Sequence, residues 1–141
     1  MSITPLAPLT RPTLRVRDTD NWGSGAYGAP RGDRTHRGID IVTTPDQTIH
    51  APFNGIVVRQ ADPYEEDPRY TGCLLRRESD GLEVKLFYLE GAHIGPVKEG
   101  EPIGNAQDIA IKYPGITNHI HLEVWVNGEP VDPGPYLEPP A

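Results

Sequence analysis

The chain has 141 residues, a net charge of −7, and 36% hydrophobic residues. This length suits one domain with its own core, and the composition is that of a folded globular protein rather than a disordered or membrane-spanning one. Because an acidic chain repels phosphate backbones and anionic lipid surfaces, we expect no nucleic-acid partner and no membrane insertion. The single cysteine, Cys73, excludes an internal disulfide.

The first residues are rich in proline and carry little secondary-structure signal. We interpret residues 1–20 as an extended N-terminal arm and residues 21–141 as a single domain. An arm of this composition could also become ordered on a partner, so a role as a subunit of a larger particle stays open. The start of the chain lacks the basic and apolar stretches of a signal peptide, and we therefore expect synthesis in the cytoplasm.

Short apolar runs separated by turn residues follow a glycine-rich stretch over residues 21–35, which predicts a long loop. Gly38–Thr43 and Gly55–Gln60 are predicted strands. Gly72–Arg77 and Leu82–Leu89 are predicted to pair as a hairpin, closed at an Asp-Gly turn. The 15 glycines and 16 prolines disfavour long helices. The sequence thus predicts an all-β fold, mainly antiparallel sheet with long loops.

The C-terminal part contains the clearest strand, His119–Val126. Before it, residues 97–101 are predicted to form a polar turn, and Ala106–Tyr113 could hold one helical turn. After it, the proline-rich stretch over residues 130–141 is predicted to be irregular.

Side chains alternate between the two faces of a strand, and this separates the residues of His119–Val126 into two sets. The apolar set is expected to face the core and consists of Ile120, Leu122, Val124 and Val126. The polar set is expected to face a cleft or solvent and consists of His119, His121, Glu123 and Trp125.

Two short motifs are candidates for metal binding. His36 and Asp40 are four residues apart at the entry to a predicted strand, and His119 and His121 share one strand face. Two nitrogen ligands and one oxygen ligand suit a catalytic zinc ion, which keeps its fourth position open. Each motif alone is also typical of a surface ion pair or of metal-free histidines. Cys73, in an apolar run, is predicted to be a buried and inert thiol.

Taken in order, several segments resemble the lysostaphin-type zinc metallopeptidases of family M23. The similar segments are HRGIDI from His36, HAPFNGIV from His50, VKEGEPIG from Val97, HIHLE from His119 and NGEPVDP from Asn127. They span most of the chain, from about residue 22 to residue 137. The resemblance implies the M23-type antiparallel β-fold.

The resemblance also implies a function and its residues. Zinc would be bound by His36, Asp40 and His121, and His119 would be the general base. The implied activity is hydrolysis of peptide cross-links in bacterial cell-wall peptidoglycan, with a wall peptide as the partner. Such a target lies outside the cytoplasm, and we expect the protein to reach it by lysis or through a secretion or injection device.

One departure from the family pattern concerns a second histidine of the active members, which lies two residues after a tyrosine. The corresponding tyrosine here is Tyr88, and Glu90 occupies the histidine position. His93 could supply the missing imidazole, or Glu90 could act as an acid if it were buried. The alternative is an inactive zinc-binding module that binds a wall, glycan or protein partner. Within the family, the resemblance is strongest to secreted members of that inactive kind.

Overall fold

The computed structural model describes residues 4–10, 15–17, 20, 23–31 and 34–137. These residues form short strands and a single four-residue helix, and no described helix has the length and apolar character needed to cross a membrane. The elements in chain order are β1 Pro30–Arg31, β2 Arg34–Thr35, β3 Ile39–Val42, β4 Thr48–His50, β5 Gly55–Gln60, β6 Gly72–Arg77, β7 Glu83–Phe87, β8 Leu89–Glu90, β9 Gly95–Val97, β10 Pro102–Ala106, β11 His119–Val126, β12 Glu129–Val131 and α1 Gly134–Leu137.

The main sheet has seven strands and is antiparallel throughout. Its order is β12-β11-β7-β6-β5-β9, and β3 also pairs with β11 beside β12. A second sheet has the order β4-β10-β8, and β1 pairs with β2 as a small ribbon. The predicted class, an all-β fold of mainly antiparallel sheet with long loops, is confirmed.

One face of the main sheet supplies the hydrophobic core. The predicted apolar face of β11 is confirmed: its first three members are fully buried, and Val126 packs against the same cluster. Cys73 on β6 is also buried, and burial raises the pKa of its thiol to about 12. The predicted inert thiol is therefore confirmed, since a neutral buried thiol is a poor nucleophile.

The predicted hairpin is correct in its first strand and its turn, but its second strand is interrupted. Leu82–Leu89 was expected to be continuous, whereas β7 ends at Phe87 and β8 begins at Leu89. Between them, Tyr88 has a φ of 68°, which breaks the extended backbone. The short strand β8 then leaves the main sheet and pairs with β10.

Three further predictions need correction. The stretch over 21–35 is not entirely loop, because β1 and β2 pair within it. The segment after residue 130 is not entirely irregular, because β12 pairs with β11 and α1 follows. Residues 97–101 include the last residue of β9. A single helical turn does form near Ala106–Tyr113, where the amide of Tyr113 donates to the carbonyl of Ile109 at 3.0 Å.

The N-terminal residues that the structure describes pack against the domain. Leu6 and Leu9 are buried in the core cluster. The amide of Leu6 donates to the carbonyl of Tyr136 at 2.8 Å, and the carbonyl of Leu9 accepts from His50 at 2.9 Å. Residues 4–10 thus extend along the domain without regular secondary structure. The division of the chain at residue 20 stays a prediction.

Candidate metal centre

The pairing of β3 with β11 brings the two predicted ligand motifs together. Asp40 lies directly opposite His121 in the register, so the two side chains project from the same face. Gly38 lets the chain before β3 lie against β11, because a Cβ at this position would be 2.3 Å from the carbonyl oxygen of Leu122. His36 precedes this contact, and its imidazole reaches the same point.

Three potential ligand atoms meet at this point. Nε2 of His36 is 2.9 Å from Nδ1 of His121, and Oδ1 of Asp40 is 3.2 Å and 3.1 Å from these two nitrogens. All three side chains are buried. Ligand atoms bound to one tetrahedral zinc ion at ~2.0–2.1 Å are about 3.3 Å apart, so the spacing fits such an ion.

Hydrogen bonds on the far sides of the two imidazoles determine which nitrogens face one another. The Nδ1–H of His36 donates to the carbonyl of Ala26 at 3.1 Å. The Nε2–H of His121 donates to the carboxylate of Glu123 at 2.8 Å. The opposite nitrogens therefore present lone pairs, together with an oxygen of Asp40. Three electron-pair donors that converge on one point fit a divalent metal ion, which would replace the proton shared among them.

The electrostatics of the cluster also favour a positive charge. Burial lowers the pKa of His121, but hydrogen bonds with Asp40 and Glu123 outweigh this effect and raise the pKa above its ordinary value. Burial raises the pKa of Asp40, yet hydrogen bonds with His121 and His36 bring it well below the usual range. Asp40 is consequently ionised at neutral pH and available as a ligand.

Arg17 is part of the site, although no sequence pattern indicated it. Its guanidinium is buried and donates from Nε and Nη2 to Oδ2 of Asp40, at 3.1 Å in each case. It also pairs with Asp20 at 2.9 Å and donates to the carbonyl of Gly23. Arg17 therefore holds one oxygen of Asp40 and leaves Oδ1 directed at the two histidines. Only the tertiary structure reveals this contact, because the residues are 23 positions apart.

His119 lies beside the cluster but makes different contacts. Its Nδ1–H donates to the carbonyl of Thr117 at 2.9 Å, and its Nε2 is 3.3 Å from Oδ2 of Asp40. Burial lowers the pKa of His119, so the neutral imidazole is the main form at neutral pH. A neutral imidazole with a lone pair beside a metal centre is suited to act as a general base. The assignment of that role to His119 stays a prediction.

An aromatic wall flanks the histidines. The ring of Phe87 stacks on His121 with a centroid separation of 5.3 Å, and Tyr88 meets His119 edge-on at 5.5 Å. Neighbouring residues of a regular strand would point to opposite faces, but the positive φ of Tyr88 directs both rings to the cleft. The hydroxyl of Tyr64 forms hydrogen bonds with those of Tyr88 and Tyr113.

The two residues considered for the missing histidine do not reach this site. Glu90 and His93 are both exposed, and neither lines the cleft above the cluster. Glu90 pairs with Asn105 of β10 in the smaller sheet. The structure therefore gives no support to either residue as a proton-transfer group, because β8 leaves the main sheet after the break at Tyr88 and pairs with β10.

The cleft over the cluster has a volume of about 410 Å³. Its charged lining residues are Arg17, Arg37, Asp40, Lys85 and Glu123. The predicted polar face of β11 thus meets a cleft, as expected from its alternation. Glu123 was assigned no role from the sequence. Its position two residues after His121, on the same face of the strand, could have indicated a contact between the two side chains.

An antiparallel β-domain with two histidines and an aspartate at the base of an open cleft offers the donor set of a zinc site with an open position. The chain belongs to peptidase family M23, whose family model matches residues 34–133. Leukocyte cell-derived chemotaxin-2 of Mus musculus is 34% identical over 123 residues, which cover 86% of this chain and 79% of that protein.

Solved structures share the fold. A zinc containing peptidase from Vibrio cholerae superposes with a TM-score of 0.58 at 21% identity, over 85% of this chain. Lysostaphin superposes with a TM-score of 0.62 at 20% identity, over 81% of this chain. This chain spans 40% of the former structure and 49% of the latter. At these identities the likeness shows the fold alone.

Proposed function

We propose that this chain is a zinc-dependent peptidase domain that hydrolyses peptide cross-links of bacterial cell-wall peptidoglycan. The observation that carries the proposal is the convergence of His36, Asp40 and His121, with both imidazoles oriented by outer hydrogen bonds. Two nitrogens and one oxygen are the donor set of a zinc site that keeps one position open for chemistry. Two structural relatives, a zinc containing peptidase from Vibrio cholerae and lysostaphin, agree with this choice.

Zinc bound by these residues would supply Lewis acidity, which activates water and polarises a peptide carbonyl. The protein's own side chains would orient the metal ligands and deprotonate the attacking water. Arg17 holds Asp40 in place, and Glu123 fixes the ring of His121. His119 would accept the proton of the attacking water at Nε2, because its Nδ1 is engaged by Thr117. The target would lie outside the cytoplasm and be reached by lysis or a secretion or injection device.

Digestion of purified peptidoglycan tests the proposal. The zinc-loaded chain and its His119→Ala variant would be incubated with walls of different cross-link types, and the released fragments would be analysed by mass spectrometry. We expect cleavage by the parent chain and a loss of about 100-fold or more in the variant. No zinc-dependent cleavage of any cross-link type would contradict the proposal.

A second candidate function is an inactive zinc-binding module that binds a wall peptide, glycan or protein partner. The observation that favours it is the exposed position of Glu90 and His93, which leaves the cleft without a second imidazole from the β7–β8 region. Leukocyte cell-derived chemotaxin-2, a relative of this chain, is not named as a peptidase, which agrees with this candidate. Calorimetric titration of the zinc-loaded chain with peptidoglycan fragments would detect binding without turnover, and observed turnover would exclude this candidate.

A further inference from the structure

Most charges that line the cleft are neutralised by neighbouring side chains. Asp40 is held by Arg17 and faces the histidines. The two oxygens of Glu123 accept from Nε2 of His121 and from Nε1 of Trp125, each at 2.8 Å. Arg17 is satisfied in turn by Asp20 and Asp40. These groups form a closed network and have no strong site left for an anionic ligand.

Arg37 and Lys85 differ from this network. Both line the cleft, yet neither has a carboxylate within 4.0 Å among the residues that the structure describes. Nζ of Lys85 instead lies 4.9 Å from the ring centroid of Trp125, a contact that positions the ammonium without neutralising it. Lys85 and Glu123 still attract one another at longer range, which helps to lower the pKa of Glu123. Arg37 is exposed to solvent.

The strand register places Lys85 at the Glu123 end of the cleft, and the position of Gly38 places the neighbouring Arg37 near that end. Lys85 on β7 lies opposite Glu123 on β11, two register positions beyond the Phe87–His121 pair and on the same face of the sheet. On the other side of β11, Gly38 packs against Glu123 and His121, and this contact brings Arg37 next to the same row. Two residues along a strand span roughly 6.5–7 Å, so this end begins about two extended peptide residues away from the metal ligands.

The other end of the cleft is uncharged by comparison. Pro63 and Ile116 line it together with the tyrosine hydroxyl cluster of Tyr64, Tyr88 and Tyr113. Lys112 lies over the ring of Tyr64, but it pairs with Asp67 at 3.2 Å. Among the described residues that line the cleft, the cations without a close carboxylate therefore lie on one side of the candidate metal centre.

We propose that Arg37 and Lys85 form a carboxylate-binding subsite for a peptide that carries its negative charge at a distance of about two extended residues from the group held at the metal centre. The inference rests on the proposed function, since it assigns a ligand class to the same cleft. A guanidinium offers two parallel donors to a carboxylate, and an ammonium adds a second charge. The carboxylate could be the C-terminus of a short peptide or an acidic side chain next to the bound residue.

Three N-acetylated probes separate these sources. Acetyl-triglycine carries a C-terminal carboxylate, its C-terminal amide carries none, and the α-amide of acetyl-diglycyl-aspartic acid carries only the side-chain carboxylate. Each probe would be titrated into the zinc-loaded full chain at low salt, and dissociation constants would be obtained from NMR shifts. We expect at least one acidic probe to bind about 5-fold or more tightly than the amide, a modest factor because Arg37 is exposed.

Variants connect the preference to the two side chains. Arg37→Gln and Lys85→Met should each reduce the acid-to-amide ratio, and the double variant should abolish it, whereas Arg37→Lys should retain part of it. Arg59→Gln and Lys98→Met are matched controls, because both residues are exposed and neither lines the cleft. Zinc content and circular dichroism would verify that every variant is folded and loaded.

Equal binding of the acidic and amide probes, or no binding of either, would overturn the subsite. A preference that persists in the double variant would also overturn it, because the carboxylate would then be bound by the metal itself. Peptidoglycan digestion is measured separately. A chain that prefers the acidic probe but cleaves no wall would refute the peptidase and support the subsite, and the reverse result would refute the subsite alone.

Discussion

The β3–β11 pairing, called the seam below, and the β7–β8 break both carry polar side chains, but these are buried at the seam and exposed past the break. At the seam, His36, Asp40 and His121 are buried and each makes at least two polar contacts. Past the break, Glu90 and His93 are exposed and lie outside the cleft. The described residues thus form a preorganised candidate metal site, and neither Glu90 nor His93 lies beside it. Metal binding and hydrolysis can consequently be separated by experiment.

The largest effect is expected from a ligand at the seam. His121→Ala removes one of the three donor atoms and opens a buried space between two carboxylates. Zinc binding should weaken by more than about 100-fold, because the loss of an outer hydrogen-bond partner alone costs ~10–100-fold. Competition with a chromogenic chelator measures the affinity. His50→Ala is the control, because that histidine bonds to the carbonyl of Gly100 and does not line the cleft.

Arg17→Met tests whether the N-terminal segment belongs to the metal centre. The change leaves Oδ2 of Asp40 without its buried cation, so we expect zinc affinity to fall by about 10–100-fold. Breaking a buried ion pair should also reduce the free energy of unfolding by ~3–5 kcal/mol. Chelator competition and chemical denaturation measure the two effects, with Arg59→Met as the control. An unchanged zinc affinity would show that Arg17 stabilises the fold alone.

Glu123→Gln should have a smaller effect on the same centre. The amide is similar in size to the carboxylate, but it lacks the charge that holds the Nε2–H of His121. Zinc affinity is expected to fall about 10-fold, the lower end of the range for outer partners. Glu129→Gln, at an exposed position on β12, is a matched control. If the two variants bind zinc equally well, orientation of His121 by Glu123 is unimportant.

The smallest effects are expected past the β7–β8 break. Glu90→Ala and His93→Ala change exposed side chains outside the cleft, and surface changes of this kind are usually worth within ±0.5 kcal/mol. Zinc affinity and any wall hydrolysis should remain within about 2-fold of the parent chain. A 10-fold loss of hydrolysis in either variant would mean that this segment moves into the cleft when substrate binds.

The sequence by itself determined the features that depend on short-range patterns of residues. The alternation over His119–Val126 gave the limits of β11 and its two faces, and the strands Gly55–Gln60 and Gly72–Arg77 were also predicted with correct bounds. The ligand set came from two short motifs read together with a family resemblance. These features depend on side-chain periodicity and spacing, which a linear sequence contains directly.

Only the tertiary structure decided the remainder of the site. The φ of 68° at Tyr88 redirects the residues that follow it. The sequence did not predict this break, because non-glycine residues seldom adopt a positive φ. Arg17 reaches Asp40 across 23 positions, and Gly38 lies against Leu122, His121 and Glu123 of β11. Such contacts arise from the packing of distant segments, and packing is a property of the folded chain as a whole.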